Sequence, residues 1–255
     1  MIKEAIEKIA DLANPIVCRI GELDYIINKG GGYEQIKPEL NCVEIIHLHS
    51  LSGLVSVIRN EIVEYADDST IYLGAQSPLP IYLEAYGFNE VKCFTAPVPA
   101  LGFERITLYH VKATDVDEWK ADTTMTYEEA LIAVRTRFQH TPDSEYLLRL
   151  LSNISNGAKI TCNDNGVAST ILMQKGVALQ EGELIRPIVK LRPYRTFQEL
   201  EQPESEFHIR VSERGIRFVE ADGSMWKLAA RKSIAAFMSE ELADMIEDKK
   251  VIVFI

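Results

Sequence analysis

Residues 206–229 read EFHIRVSERGIRFVEADGSMWKLA, and this stretch decides the class of fold. The apolar positions that alternate with other residues are Phe207, Ile209, Val211, Ile216, Phe218, Trp226 and Leu228. Arg214-Gly215 and Asp222-Gly223 separate the alternating runs and have the composition of tight turns. Because successive side chains of a strand point to opposite faces, this period predicts a three-stranded antiparallel meander with one buried face. We interpret its large aromatic residues as core residues and not as a base-stacking platform.

Short runs of β-branched and aromatic residues predict further strands outside the meander. They cover residues 16–20, 25–27, 43–48, 71–73, 81–85, 91–95, 105–111, 158–162 and 168–173. The runs between 71 and 111 are expected to form one sheet, and the last two flank Asn163–Gly166, a composition typical of a hairpin turn. The apolar C-terminus, Val251–Ile255, is expected to pair inside a sheet, because a loose apolar strand promotes aggregation.

Apolar residues at three- and four-residue steps predict the helices. These cover residues 2–13, 51–65, 126–138, 142–155 and 239–248. Ser50 can cap the second helix, and Thr126–Glu129 matches a capping box at the start of the third. The sequence therefore predicts an α+β fold with mixed and antiparallel sheets, about five helices and a C-terminal antiparallel meander. A weak boundary near residues 120–125 divides it into an N-terminal α+β lobe, 1–122, and a C-terminal α+β lobe, 123–255, unless the two form one continuous domain.

Composition limits the classes of partner. The chain has 255 residues, with 27 Lys plus Arg against 38 Asp plus Glu and a net charge of −11. This acidic excess repels phosphate backbones at long range, so it disfavours broad nucleic-acid binding but leaves a local basic patch possible. No apolar run approaches the roughly 18–20 residues that span a bilayer, and charges interrupt Met1–Ala13 where a signal peptide would be apolar. Four widely spaced cysteines without a C-x-x-C pair fit reduced thiols. We expect a cytoplasmic protein with no membrane partner.

Two short motifs suggest ligands, but each has a simpler structural interpretation. His47 and His49 share one face of a predicted strand, where Cys42 or Glu44 could complete a zinc site. The spacing of further ligands is not recognisable, so two histidines on a half-polar strand face are favoured. Lys29–Gly32 suggests a phosphate loop, yet no Lys-Ser or Lys-Thr pair follows its glycines, which favours a plain turn. The sequence therefore predicts no catalytic residues, no metal and no cofactor.

The densest unusual stretch is residues 186–195, which carry four cations with no acid between them. The candidate ligand- or partner-binding residues are Arg186, Lys190, Arg192, Tyr194 and Arg195. Guanidinium groups hold phosphates, nucleotides or acidic partners through planar pairs of hydrogen bonds. The acids Glu199, Glu201, Glu204 and Glu206 follow at once. They can instead pair internally with the arginines across a bend, and this structural interpretation is favoured over a ligand site.

Five segments share their order and spacing with a known group of proteins. They are His49–Leu54, Asp117–Trp119, Thr126–Glu129, Arg192–Phe197 and Gln202–Phe207. From about residue 43 to the end, the chain resembles a family of uncharacterised phage and prophage proteins, a domain of unknown function found in many bacterial genomes. The resemblance implies a bacterial host cytoplasm and a phage-related role. It carries no assigned catalytic residues.

The leading hypothesis from the sequence is a non-enzymatic phage or prophage accessory protein that binds a host or phage macromolecule or a small anionic ligand. One alternative is a metal-dependent enzyme acting on nucleotides or nucleic acid through the carboxylates of residues 199–206. Another is an acidic DNA mimic that inhibits a host protein. The apolar end, Val251–Ile255, can pair within the monomer or across a two-fold interface, so a homo-oligomer is also possible.

Overall fold

The fold is taken from a computed structural model. It describes residues 3, 16–20, 23–27, 32–36, 44–64, 71–73, 77–98, 103–116, 119, 121–155, 159–164, 169–175, 178–179, 183–212 and 214–255. The helix predicted over residues 2–13 lies outside the described residues except at Lys3, and Cys42, Gly30 and Gly31 also lie outside them. Within these ranges the fold is α+β, as predicted, with five helices and both mixed and antiparallel sheets. No helix in them is long and apolar enough to cross a membrane.

The elements are numbered in chain order. The helices are α1 (Leu51–Glu61), α2 (Tyr127–Arg137), α3 (Pro142–Ser155), α4 (Met225–Glu241) and α5 (Ala243–Glu247). The strands are β1 (Ile16–Ile20), β2 (Leu23–Ile27), β3 (Tyr33–Ile36), β4 (Ile46–Leu48), β5 (Ile62–Glu64), β6 (Ile71–Leu73), β7 (Ser77–Pro78), β8 (Ile81–Gly87), β9 (Glu90–Phe94), β10 (Thr107–Lys112), β11 (Thr124–Met125), β12 (Lys159–Asp164), β13 (Ser169–Lys175), β14 (Ala178–Leu179), β15 (Glu183–Leu184), β16 (Ile188–Leu191), β17 (Ser205–Ser212), β18 (Gly215–Glu220) and β19 (Val251–Phe254).

The first core lies on one face of a five-stranded mixed sheet of order β19-β8-β9-β10-β4. Strands β8, β9 and β10 are antiparallel neighbours, whereas β19 and β4 join the two edges in parallel. Helices α1 and α4 cover one face through residues such as Leu54, Ile58, Ile234 and Met238, all fully buried. The C-terminal strand therefore pairs inside a sheet, as predicted.

The second core lies on the antiparallel sheet β11-β18-β17-β16. Helices α2 and α3 pack against it, and Phe207 and Phe218 are core residues, as predicted. Gly215 opens β18 at a φ of 142°, where a Cβ atom would collide with the carbonyl of Met125 on β11. A glycine is therefore required for the close approach of these two strands.

The prediction that Trp226 and Leu228 form a third strand of the meander is wrong. Both residues lie in α4, and the strand that pairs with β17 on the side away from β18 is β16. Ser224, in the left-handed region at a φ of 65°, ends the preceding turn and starts the helix. The following 17 residues contain no glycine or proline, and the buried residues Ala230, Ile234 and Met238 repeat every fourth position. This longer helical period outweighs the two-residue spacing of Trp226 and Leu228.

Other elements also differ from the prediction. The last helix, predicted over residues 239–248, is divided between the end of α4 and α5. Helix α1 ends at Glu61, because the β-branched pair Ile62-Val63 continues as β5. Strand β6 pairs with β5 and β7 in a separate three-stranded sheet, so the predicted strands between 71 and 111 do not form one sheet. The predicted hairpin is confirmed by the antiparallel pairing of β12 with β13.

The end of the chain returns to the first core. Residues 225–255 supply α4, α5 and β19 to the core built on α1 and β8–β10. Residues 123–218 supply most of the second core. The division of the chain at residue 122 stays a prediction.

The first testable consequence concerns the capping box of α2. The Thr126 amide donates to the Glu129 carboxylate over 2.8 Å, and the Glu129 amide donates to the Thr126 hydroxyl over 3.2 Å. The hydrogen bond from the Thr126 backbone holds the pKa of Glu129 below its ordinary value. The ionised Glu129 carboxylate therefore adds to the free energy of unfolding at any pH above the ordinary Glu pKa. This contribution is lost as the pH falls through the lower pKa that Glu129 has in the folded state.

We therefore expect Glu129→Ala to lower the melting temperature at neutral pH, with a deficit that shrinks on acidification. Thermal unfolding followed by circular dichroism between neutral and acidic pH measures this. Glu128→Ala, in the same turn but outside the capping box, is the matched control. Equal deficits for the two variants at neutral pH would contradict the assignment.

Candidate functional site

A cleft of about 570 Å³ lies between the first sheet and the second core. The β8–β9 turn contributes Phe88, and the end of β10 contributes Lys112. Trp119 lines it from the second core, and the first turn of α4 contributes Trp226 and Lys227. The cleft thus forms where α4 returns to the first sheet beside the end of β18.

Arg195 is the central charged group of the cleft and is only 6% exposed. Its guanidinium carbon lies 3.9 Å from the centroid of the Trp226 ring, a stacked cation–π contact. The same group donates hydrogen bonds to the carboxylate of Glu220 and the hydroxyl of Ser205. Burial lowers the pKa of Arg195, and the hydrogen bond to Glu220 opposes this shift. Because the ordinary arginine pKa is far above neutrality, the buried group stays a cation.

A buried amide holds Arg195 in place. The side-chain oxygen of Gln202 accepts from the backbone amides of Arg195 and Thr196 over 2.9 and 3.1 Å. Its side-chain nitrogen donates to the carbonyls of Phe197 and Leu200 over 3.0 and 3.2 Å. Gln202 is 1% exposed, so these bonds form away from solvent. Residues 195–202 are therefore a loop with a fixed conformation.

Aromatic rings form part of the cleft wall. The rings of Phe88 and Trp226 meet edge to face with centroids 4.9 Å apart, and Trp119 packs in the same way on Phe138. The indole N–H groups of Trp119 and Trp226 are buried, and neither has an acceptor in the part of the chain that the structure describes. Trp226 was predicted as a core residue of the meander. It is buried, but in α4, and its ring also lines the cleft.

The lining of the cleft has a positive net charge, whereas the net charge of the whole chain is negative. The lining carries the cations Lys112, Arg195 and Lys227 and the acids Glu90 and Glu220. Glu220 is bound to Arg195, and Glu90 lies 2.7 Å from the Nε2 atom of His110. Among the described residues, neither lysine forms an ion pair. The cleft is therefore a cationic site in a chain of net charge −11.

The structure does not bring the five predicted binding residues together in one solvent-facing group. Arg186 lies 3.2 Å from Asp143, and Lys190 lies 3.7 Å from both Glu204 and Glu206. Lys190 lies opposite Glu206 in the register of β16 with β17, so this is a cross-strand ion pair.

Arg192 and Tyr194 also lie outside the cleft. Arg192 pairs with Glu201 and lies 3.6 Å from Glu204, while the Tyr194 amide donates to the carbonyl of Arg137. The five candidates do not form a free cationic binding edge, because all four cations pair with acids, as the favoured structural interpretation predicted, and Arg195 is also buried. Of the five residues, Arg195 alone lines the cleft.

The acids downstream of Arg195 have structural partners. Glu199 accepts hydrogen bonds from the amides of Leu51 and Ser52 over 2.7 and 2.8 Å, which places its carboxylate at the N-terminus of α1. Ser50 caps the same helix by accepting from the Gly53 amide, as predicted. The internal pairing predicted for this acidic run therefore applies to Glu201, Glu204 and Glu206, and Glu199 instead caps a helix.

The two histidines considered for a zinc site contact different residues. The His47 ring contacts His110 edge to face, with centroids 5.5 Å apart, and the Nδ1 atom of His49 lies 3.2 Å from the Thr114 hydroxyl. Within the ranges that the structure describes, no three His, Cys, Asp or Glu side chains form a group able to hold a metal ion.

Sequence reasoning found Arg195 but missed Phe88, Lys112, Trp119 and Lys227. These residues are far apart in the chain, and only the sheet pairing and the return of α4 bring them together. One signal was available: Phe88 lies in the turn after Gly87, where strand alternation does not require a large ring. Comparison with protein-family models, with curated proteins and with solved structures finds no match to this chain. The resemblance to phage and prophage proteins stays a prediction.

The hydrogen bonds of Gln202 give a second prediction. Gln202→Ala leaves the Arg195 and Thr196 amides buried without an acceptor, and each such amide costs about 1–3 kcal/mol. We expect the free energy of unfolding to fall by about 2–6 kcal/mol, measured by urea denaturation with tryptophan fluorescence. The control is Gln198→Ala, which removes one exposed bond to the Asp115 carbonyl. If the two variants lose similar stability, Gln202 does not fix the loop.

Proposed function

We propose that the protein is a non-enzymatic binding protein whose cleft holds a small anionic ligand. The observation that carries the proposal is the pair of ammonium groups in the cleft wall, those of Lys112 and Lys227, neither of which forms an ion pair among the described residues. They lie beside Arg195, whose charge is balanced by Glu220 and whose guanidinium lies over the Trp226 ring. The buried loop of Gln202 supports the proposal, because it fixes the cleft wall at Arg195 before a ligand arrives.

The two lysines complete the proposed anion site. Glu220 offsets the charge of Arg195, so the excess positive charge of the cleft comes from Lys112 and Lys227. Lys227 lies over the rings of Phe88 and Trp226, at 5.9 and 5.6 Å from their centroids. An anion entering the cleft therefore meets ammonium groups at its wall, and its apolar part can pack on the same rings.

The size of the cleft fits a small molecule. A volume of about 570 Å³ is within the range of roughly 300–1,000 Å³ that is usual for such sites. The accessory role in a phage or prophage, in a bacterial host cytoplasm, is part of the proposal and rests on the sequence resemblance. The lining supports a role in binding and not in catalysis. Its two acids, Glu90 and Glu220, are paired with His110 and Arg195, so neither carboxylate is left as a general acid or base.

The test uses defined anions as probes. We expect inorganic phosphate, citrate or adenosine monophosphate to raise the melting temperature, because a ligand that binds the folded state stabilises it. Uncharged adenosine is the matched neutral probe and is expected to give a smaller shift. A double variant, Lys112→Ala with Lys227→Ala, is expected to weaken binding at least about tenfold in calorimetric titration.

Arg135→Ala is the control variant, since Arg135 is exposed on α2 and does not line the cleft. It is expected to bind as the unmodified protein does. Failure of all three anions to bind would reject the proposal. Unchanged affinity in the double-lysine variant would reject the site.

A further inference from the structure

The five-stranded sheet has an outer face that α1 and α4 leave open. Along β8 and β9, alternate residues are fully buried in the first core, and the residues between them are partly exposed or exposed. Tyr86 is 52% exposed, and Phe254, on the edge strand β19, is 37% exposed. This outer face is separate from the anion site proposed above, and the inference below does not depend on it.

Three aromatic rings form a contiguous platform on the outer face. Tyr82 and Phe94 lie on neighbouring strands, with centroids 5.8 Å apart and planes only 1° apart. The Phe254 ring meets both edge to face, with centroid distances of 6.4 and 6.0 Å. We call Tyr82, Phe94 and Phe254 the aromatic platform. Large aromatic residues usually lie in the core, so a ring cluster on an open sheet face needs another explanation.

Cations lie directly over these rings. The Arg105 guanidinium carbon is 4.1 Å from the Tyr82 centroid and 5.3 Å from that of Phe94. Lys92 places its ammonium nitrogen 3.2 Å from the centroid of Tyr86. No carboxylate of the described residues pairs with Arg105, whose Nη1 atom donates to the Thr95 carbonyl over 3.2 Å. The guanidinium is therefore available to an anion.

This face carries two acids beside its two cations. Glu90 lies 2.7 Å from His110 and 4.0 Å from Lys92, and Glu84 is opposite Lys92 in the register of β8 with β9. The charges of the face are thus balanced, in contrast to the acidic excess of the whole chain. Arg105 remains as the cation with no acid beside it in the described part of the molecule.

We propose that the outer face binds single-stranded nucleic acid. An unpaired base has a flat π-face that stacks on the Phe254 ring or on the guanidinium plane of Arg105, which lies over Tyr82 and Phe94, and the adjoining phosphate supplies the anion for Arg105. A protein partner fits less well, because the parallel rings carry a guanidinium on top and do not form a purely apolar patch. Duplexes are excluded by the same chemistry, since their bases are stacked on each other and are not free to reach the platform.

The charge count also fixes the expected salt dependence. Arg105 can neutralise about one phosphate, so the affinity for a single strand should fall with a log–log slope of about −0.7. This slope is shallow compared with that of a long basic groove. It agrees with a chain whose net charge of −11 disfavours broad nucleic-acid binding.

The test is fluorescence anisotropy with labelled oligo-dT and oligo-U of about ten nucleotides, at about 50 mM salt and up to about 100 µM full-length protein. We expect saturable binding of single strands and at least tenfold weaker binding of the matching duplex. Phe254→Ala should weaken binding at least about fivefold, because base–aromatic stacking contributes about 1–3 kcal/mol. Arg105→Glu should weaken it at least about tenfold, because it removes the one cation of this face that has no acid beside it among the described residues.

Tyr33→Ala is the matched control, because Tyr33 is 77% exposed on β3 of a different sheet. It should bind as the unmodified protein does. The proposal is overturned if neither single strand binds, if duplex binds as tightly, or if Arg105→Glu and Phe254→Ala both leave binding unchanged. Binding lost only in the Lys112 and Lys227 double variant would also overturn it, since that result assigns the oligonucleotide to the cleft.

Discussion

The buried loop of residues 195–202 is the constraint on which the arrangement of the molecule depends. One buried amide, that of Gln202, bonds four backbone groups of this loop and leaves it little conformational freedom. From that fixed backbone, Phe197 packs into the first core, Glu199 caps α1, and Arg195 turns toward the cleft beside the second core. A loop of this length could not link two cores so firmly without internal bonding, because each free loop residue costs about 1–2 kcal/mol of backbone entropy to order.

The same loop explains how an acidic chain keeps a cationic cleft. Burial of a lone guanidinium is unfavourable, and Glu220 and the Trp226 ring together offset that cost for Arg195. The surrounding acids are used elsewhere: Glu199 at a helix end, and Glu204 in ion pairs on the surface of β16 and β17. Ion pairs of that exposed kind contribute little to stability, about 0–1 kcal/mol each, but they remove the acids from the cleft.

The sequence predicted local structure well where the signal was local. The capping box at Thr126 and the hairpin of β12 and β13 depend on residues within a few positions of each other, and both are confirmed. Trp226 shows where this fails, because two alternating residues cannot outweigh the helical period of the 17-residue segment that contains them. The residues of the cleft were harder to predict from the sequence than the local structure was. Arg195 was identified from its neighbours in sequence, but Phe88 and Lys112 reach the cleft only through sheet pairing and through the return of α4, which no local pattern encodes.

The cleft and the outer sheet face meet at Glu90. This carboxylate lines the cleft, yet it also contacts His110 and lies 4.0 Å from Lys92, a cation of the outer face. An anion held by Lys112 in the cleft would add negative charge beside this group. Both proposed ligands are anions, and each would lie near the same carboxylate. Under the two proposals, Glu90 is therefore the group through which ligands on the two surfaces would act on each other without a change in the fold, and by linkage the two effects would be equal in free energy.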